Sequence, residues 1–243
     1  DVNGLHQLLN VPMNPITISY SLPLKSETII PSYDNMLRAI QQKLQENNVL
    51  KPNYQFSFTL KQIDSYEQLA LFFGEEIDLS DLFKITSPNP IHKTVAVLDI
   101  SQSYFSIAMD MPEEELSNSP IVQEQLSELI YVGSIEFGRR SILIVESDLN
   151  YQDVKVALNE ILNKSTTKKG DISEKSKSIM ASSIIRGLIL DPLANENITP
   201  DNPLEYLLDY INSDISPNDF RVPIFFTAAW LKDNSVFVNK FTN

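Results

Sequence analysis

At 243 residues and 27.6 kDa, with 42% apolar content, the chain is long enough to bury a core of one or two domains. It has no Cys and only His6 and His92, which removes disulfides and thiolate metal sites and leaves zinc binding and histidine catalysis little material; no metal and no cofactor is expected. A net charge of −13 opposes attachment to nucleic acid or an anionic membrane surface, both of which need clustered Lys and Arg, so no nucleic-acid partner is expected.

No run of eighteen apolar residues and no signal peptide is visible, so the sequence shows neither a constitutive membrane span nor an export signal. A start at Asp1 rather than Met suits a processed chain.

The first element in chain order is the alternating stretch from Ile16 to Leu22, a strand stopped by Pro23. A helix follows from Tyr33 to Asn47, with Ser32 as N-cap and Met36, Leu37, Ile40 and Leu44 on one stripe. Tyr54 to Ile63 alternates again, with Tyr54, Phe56, Phe58 and Leu60 on one side. Thr94–Asp110 and Tyr131–Ser147 are two long β-rich runs, and Ser183–Leu190 is a shorter one. Gly138 lies in the middle of the second long run; a glycine inside a strand marks a bend or a close backbone approach, so Gly138 and Arg139 are read as a strand bend. Pro203, after Asn202 as N-cap, opens a helix with Leu204, Leu207, Leu208 and Ile211 on its core face. Val222 to Trp230 is the last long strand, leading through Lys232-Asp233-Asn234 into Val236–Phe241. Long strands joined through helical inserts predict an α+β fold, a bent and mostly antiparallel central sheet of four to five strands flanked by helical clusters.

The stretch Tyr131 to Ser147 resembles the bent-strand motif of the cholesterol-dependent (thiol-activated) cytolysins, which runs Tyr-x-x-Ser-x-x-Tyr-Gly-Arg and ends in Glu-Thr-Thr-Ser. Tyr131, Ser134, Gly138, Arg139, Glu146 and Ser147 match, and Phe137 replaces one aromatic by another. Pro223 to Asn234 looks like the family's Pro-Ile-Ser-Tyr-Thr-x-x-Phe-Leu-Lys-Asp-Asn. Glu67-Gln68-Leu69 falls at its Met-Glu-Gln-Leu, and Gln102 with Tyr104-Phe105 at its Lys-Gln-Ile-Tyr-Tyr. The matches keep one order across essentially the whole chain. They imply the perforin-like core of these toxins, a pore-forming function, a homo-oligomer as the assembled state, and a secreted or cell-surface location. They also imply a discontinuous first-domain-like layer at 1–53, 111–138 and 216–243, and a third-domain-like sheet at 54–110 and 139–215 with helical clusters at 66–92 and 152–178.

In such toxins the two clusters unfurl into membrane hairpins, so each must satisfy a helical period in water and an alternating period in lipid. In the first, Leu69, Leu71, Phe73, Ile77, Leu79, Phe83 and Ile85 form an apolar strand face broken by Glu75 and Asp81. Leu69, Phe72 and Phe73 also fall together on a helix, so a short amphipathic core helix explains its first half equally well. In the second, Val154, Val156, Leu158 and Leu162 alternate, while the same residues with Ala157 and Ile161 make an ordinary helical stripe. Its return half carries Lys168, Lys169, Asp171, Glu174, Lys175 and Lys177, which suit a hairpin tip or a pore lumen and not lipid.

The resemblance places an aromatic pair across subunits, for which Phe58 matches one member and Ile184 replaces the other; the plain alternative for both is ordinary sheet core. Leu190-Asp191 stands where the family has a flexible diglycine. The family's membrane-reading domain, with its Trp-rich loop, would follow Asn243, and Trp230 belongs to a strand motif instead. Cholesterol binding is therefore not supported by this chain, and membrane targeting is expected from another domain or protein. A non-lytic assembly module of the same fold is the alternative function. Gly-x-Gly-x-x-Gly, Gly-x-Ser-x-Gly and His-Glu-x-x-His patterns are absent, and the paired carboxylates Glu75–Glu76 and Asp78–Asp81 read as an exposed acidic face, so no catalytic residue is expected.

Overall fold

The computed structural model describes residues 11–47, 54–69, 82–110, 115–167, 170–190, 202–215, 220 and 222–238. The elements in chain order are β1 (Ile16–Tyr20), β2 (Glu27–Ile29), α1 (Tyr33–Glu46), β3 (Gln55–Ile63), a 3₁₀ turn (Tyr66–Leu69), β4 (Thr94–Met109), α2 (Pro120–Glu124), β5 (Ile130–Ser147), α3 (Tyr151–Thr167), α4 (Glu174–Ala181), β6 (Ile184–Leu190), α5 (Pro203–Asn212) and β7 (Pro223–Trp230). The fold is α+β, and among the described residues the antiparallel open sheet has seven strands, where a central sheet of four to five was expected. The three-residue β2 accounts for part of the difference, since so short a run leaves no periodic signal.

Two compact units are present: Asp1–Tyr54, Ser103–Gly138 and Ser216–Asn243 form one, Gln55–Gln102 and Arg139–Ile215 the other, and β4 and β5 each contribute residues to both. In the first unit β1 pairs with β2 and with the end of β4, Ile18 opposite Met109. β7 pairs with β5 from Ile130↔Trp230 to Phe137↔Pro223, with register shifts at Val132/Ser134 and Glu136/Phe137. Ser32 caps α1 by accepting from the Asn35 amide, and the helix buries Met36, Ala39, Ile40 and Leu44 as its 3.6-residue period requires. Phe105 stacks on Phe137 at 5.1 Å between centroids, and Phe220 meets both Tyr104 and Phe105 edge-on.

In the second unit the strand order is β3-β4-β5-β6, with Arg140 opposite Leu190 and Glu146 opposite Ile184 at the two ends of the β5–β6 ladder. The middle of β4 (Val95 to Leu98) and of β5 (Ile142 to Val145) is continuously apolar, the composition of a strand covered on both faces. Ala96, Leu98, Ile100, Leu143 and Val145 pack with Val154, Ala157, Leu158, Ile161 and Leu162 of α3, Ile179 and Met180 of α4, and Leu204, Leu207 and Ile211 of α5. On the other face Val95, Val97, Ile142 and Ile144 pack with Ile63, Tyr66, Leu69, Phe83 and Ile85. Asn202 caps α5 through the Glu205 amide. β6 accepts that helix closely because residue 187 is glycine: a Cβ there would lie 3.3 Å from Pro203 Cβ.

Of the expected first cluster, the described residues show a 3₁₀ turn at Tyr66–Leu69, while Leu71, Phe73, Ile77 and Leu79 lie outside the described residues. Past β7, Val236 forms an antiparallel bridge with Ala229. Phe58 and Ile184 are 37% and 36% exposed, on the outer strands β3 and β6, each of which has a paired strand on one side only.

Candidate functional site

The residues that could carry a conformational function surround the four-stranded sheet of the second unit. No helix among the described residues is long and apolar enough to cross a membrane, which leaves crossing by strands as a separate question. Among the described residues no cluster of three or more His, Asp or Glu side chains could hold a metal.

On the face that carries the 3₁₀ turn, the organising group is Glu146, at the end of the apolar run of β5 and 1% exposed. A carboxylate so placed must be hydrogen-bonded to be tolerated. Its Oε2 accepts from the Tyr66 hydroxyl at 2.5 Å and from Arg186 of β6 at 3.4 Å; its Oε1 accepts from the backbone amides of Ile91 and His92. Burial alone pushes the Glu146 carboxyl up. The Tyr66 hydroxyl, the His92 and Ile91 amides and the Arg186 guanidinium outweigh burial and hold the group below the usual carboxylate range. Burial and the bond to Glu146 in turn raise the Tyr66 phenol above its ordinary value. The Tyr66 amide donates to Pro88 O at 2.9 Å, so the start and end of the 66–92 stretch are tied to each other as well. Leu69, Phe83 and Ile85, the expected lipid-facing residues within the described set, are buried beneath it.

On the opposite face Val154, Leu158 and Leu162 are buried on α3, and Val156 projects outward at 53% exposure. The helical period therefore brings together three of the four residues and excludes the one that only a strand would align with them. Tyr151 of α3 donates to Leu60 O of β3 at 3.2 Å. α3 is joined to α4 by two carboxylates. Glu160 accepts from the Ser173 amide and hydroxyl, from the Ser176 hydroxyl and from Lys164, and Ser173 is the N-cap of α4. Asp153 accepts from Lys175 at 3.2 Å.

Lys164, then Ser176 and Ser173, hold the Glu160 carboxyl well below its ordinary value, and Lys175 with Asn150 does the same for Asp153. A carboxylate depressed in the folded state stabilises the fold above its unfolded value and loses that contribution as pH falls through the folded value. The α3–α4 pair is therefore expected to loosen below about pH 4. Amide exchange across Glu174–Ala181 checks this: Glu160→Gln should remove most of the acid dependence, the remainder belonging to Asp153.

Gly138 and Arg139, the expected bend, lie within the continuous strand β5, next to the register shift at Glu136/Phe137, and Gly138 is outside the left-handed region. Gly138 donates its amide to Val222 O at 3.0 Å. Arg139, 4% exposed, donates at 2.9 Å to the carbonyls of Tyr210, Ser213 and Asp214 and stacks over the Tyr210 ring at 5.0 Å, which makes it the clamp on the C-terminal end of α5. Phe58 and Ile184 lie on β3 and β6, separated within the sheet by β4 and β5. The hub around Glu146 and the Glu160 bridge were not anticipated as such. A lone Glu closing a four-residue apolar run was the available signal for the first, and the second left none.

The profile of the thiol-activated cytolysin family matches residues 3–243. Perfringolysin O of Clostridium perfringens (strain 13 / Type A) is 24% identical over 257 residues, covering 94% of this chain and 50% of the relative. Tetanolysin of Clostridium tetani (strain Massachusetts / E88) is 25% identical over 263 residues, covering 94% and 48%. The crystal structure of the cytotoxin suilysin from Streptococcus suis superposes with a TM-score of 0.69 at 17% identity, over 97% of this chain and 56% of that one, a likeness of fold. The chain thus spans about half the length of the relatives it matches.

Proposed function

The chain belongs to the thiol-activated cytolysin family, and from that premise we propose that it is the body of a pore-forming protein, which assembles with copies of itself and converts the stretches at 66–92 and 152–178 into membrane β-hairpins. Membrane targeting comes from another domain or protein, and the protein acts outside the cell that makes it. The two units serve as the family's first-domain-like layer and third-domain-like sheet.

One observation carries the conversion. Val156 is an exposed β-branched residue in mid-helix, where it packs on nothing in the α3 core and has poor helix propensity. In an extended strand it completes the apolar row Val154–Val156–Leu158. Phe58 and Ile184, exposed on the two outer strands of the sheet, suit contacts between subunits. A second reading, a non-lytic assembly module, is favoured by the charge of the return half, where Lys175 and Lys177 of α4 are engaged with Asp153 and Glu174.

Dye release from liposomes combined with ring imaging of the full-length gene product separates the two. Rings with release are expected. Rings without release establish the assembly module, and neither rings nor release overturns both.

A further inference from the structure

We propose that Glu146 is the latch of the 66–92 stretch, a single carboxylate that fastens both ends of the segment to β5 and, through Arg186, ties them to the edge strand β6. The functional consequence rests on that stretch being convertible; the latch itself operates in water, before any membrane is met.

The two ends of the segment, Tyr66 and Ile91–His92, converge on the same side chain: Oε2 takes the Tyr66 hydroxyl and Oε1 takes the two amides. The fourth acceptor position is filled by Arg186, the one cation within ion-pair range of Glu146 among the described residues, whose guanidinium also lies 6.0 Å from the centre of the Tyr66 ring. An ionised carboxylate offers about four lone-pair sites, so the group is fully subscribed. Because the site is buried, its bonds polarise one another and each partner's loss weakens the others' hold. Arg186 belongs to β6, the outer strand of the ladder, and its neighbours Ile185 and Gly187 pair with Val145 and Leu143 of β5. Moving β6 away from β5 would strip the carboxylate of its counter-charge. Both ends of the segment would then be held by a buried anion with no cation beside it, an arrangement that favours opening. The latch thereby couples the edge of the sheet to the segment on its face. The opposite face, where α3 packs, shares none of these bonds.

Amide hydrogen exchange of the full-length protein in solution tests this, comparing the parent with Glu146→Gln, Arg186→Met and Tyr66→Phe. Gln keeps the shape of the side chain but presents an amide NH₂ to a ring of donors. In Glu146→Gln, exchange is expected to rise about tenfold or more in peptides covering 66–69 and 88–93, with Val154–Leu162 unchanged. Arg186 reaches the Tyr66 hydroxyl at 3.4 Å but has no bond to Ile91 or His92, so Arg186→Met should raise exchange at both ends, and the rise at Ile91–His92 is the one that reads the latch. Tyr66→Phe, the mildest change, should raise it at Ile91–His92 as well as locally, and it keeps the test readable if Glu146→Gln does not fold. No change, a change confined to the mutated arm, or a uniform rise that includes α3 overturns the latch. Dye release by the same variants reads the other claim separately: selective exchange without release leaves the latch standing and removes the pore.

Discussion

Arg139→Met is expected to cost about 2–4 kcal/mol in equilibrium unfolding by urea, the largest loss from any single polar side chain of the second unit. The guanidinium donates to the carbonyls of Tyr210, Ser213 and Asp214, the first of which also accepts from the Ser213 hydroxyl, at the end of a helix whose unpaired carbonyls carry the negative end of the dipole. Its planar face also covers the Tyr210 ring. Ser213 and Asp214 are exposed enough for water to replace part of the loss, which is why the figure stays below the sum of three charge-assisted bonds. Lysine supplies the charge without the fork, so Arg139→Lys should recover less than half of the loss. Exchange of the α5 amides should rise with it. An unfolding midpoint shifted by less than the equivalent of about 1 kcal/mol would mean that the α5 terminus is held by its apolar face alone.

The architecture was legible wherever burial imposes a period. Ser32 and Asn202 were identified as caps because a short polar side chain stood immediately before an apolar stripe, and both accept the expected amide. β4 and β5 were visible as long β-rich runs, and their continuous apolar middles proved to mean two covered faces. The charged hubs were hidden for a different reason. Tyr66 and Glu146 are eighty positions apart, so no local pattern relates them; the family motif marked Glu146 and Arg139 as matches but gave neither a partner. For Phe58 and Ile184 the sequence left subunit contact and sheet core both open, because only topology tells which strands are outermost. Val156 was legible in its strand phase, and the structure adds that its helical phase leaves it in water.

That disagreement of phases makes Val156→Lys the sharpest test of membrane conversion. In the folded protein the substitution falls on an exposed helix position, where Lys has the better propensity, so the unfolding midpoint should stay within about 0.5 kcal/mol of the parent. If α3 becomes a lipid-facing strand with Val154 and Leu158 on the same side, the lysine must enter hydrocarbon. The cost is then about 2–4 kcal/mol per subunit at the bilayer midplane, falling to about 0–1 kcal/mol near the interface. Each 1.36 kcal/mol is about tenfold in the insertion step, so dye release at fixed dose should fall at least about tenfold while rings still form. Val156→Ile preserves the apolar row and should leave release intact. Lys155→Gln, on the alternate side of the same strand, should also be silent. Unchanged release from Val156→Lys, with the fold and the rings intact, would show that position 156 does not enter the hydrocarbon core of the bilayer. The exposed valine would then be an ordinary surface residue, and the pore, still open, would have to be lined by other residues than this row.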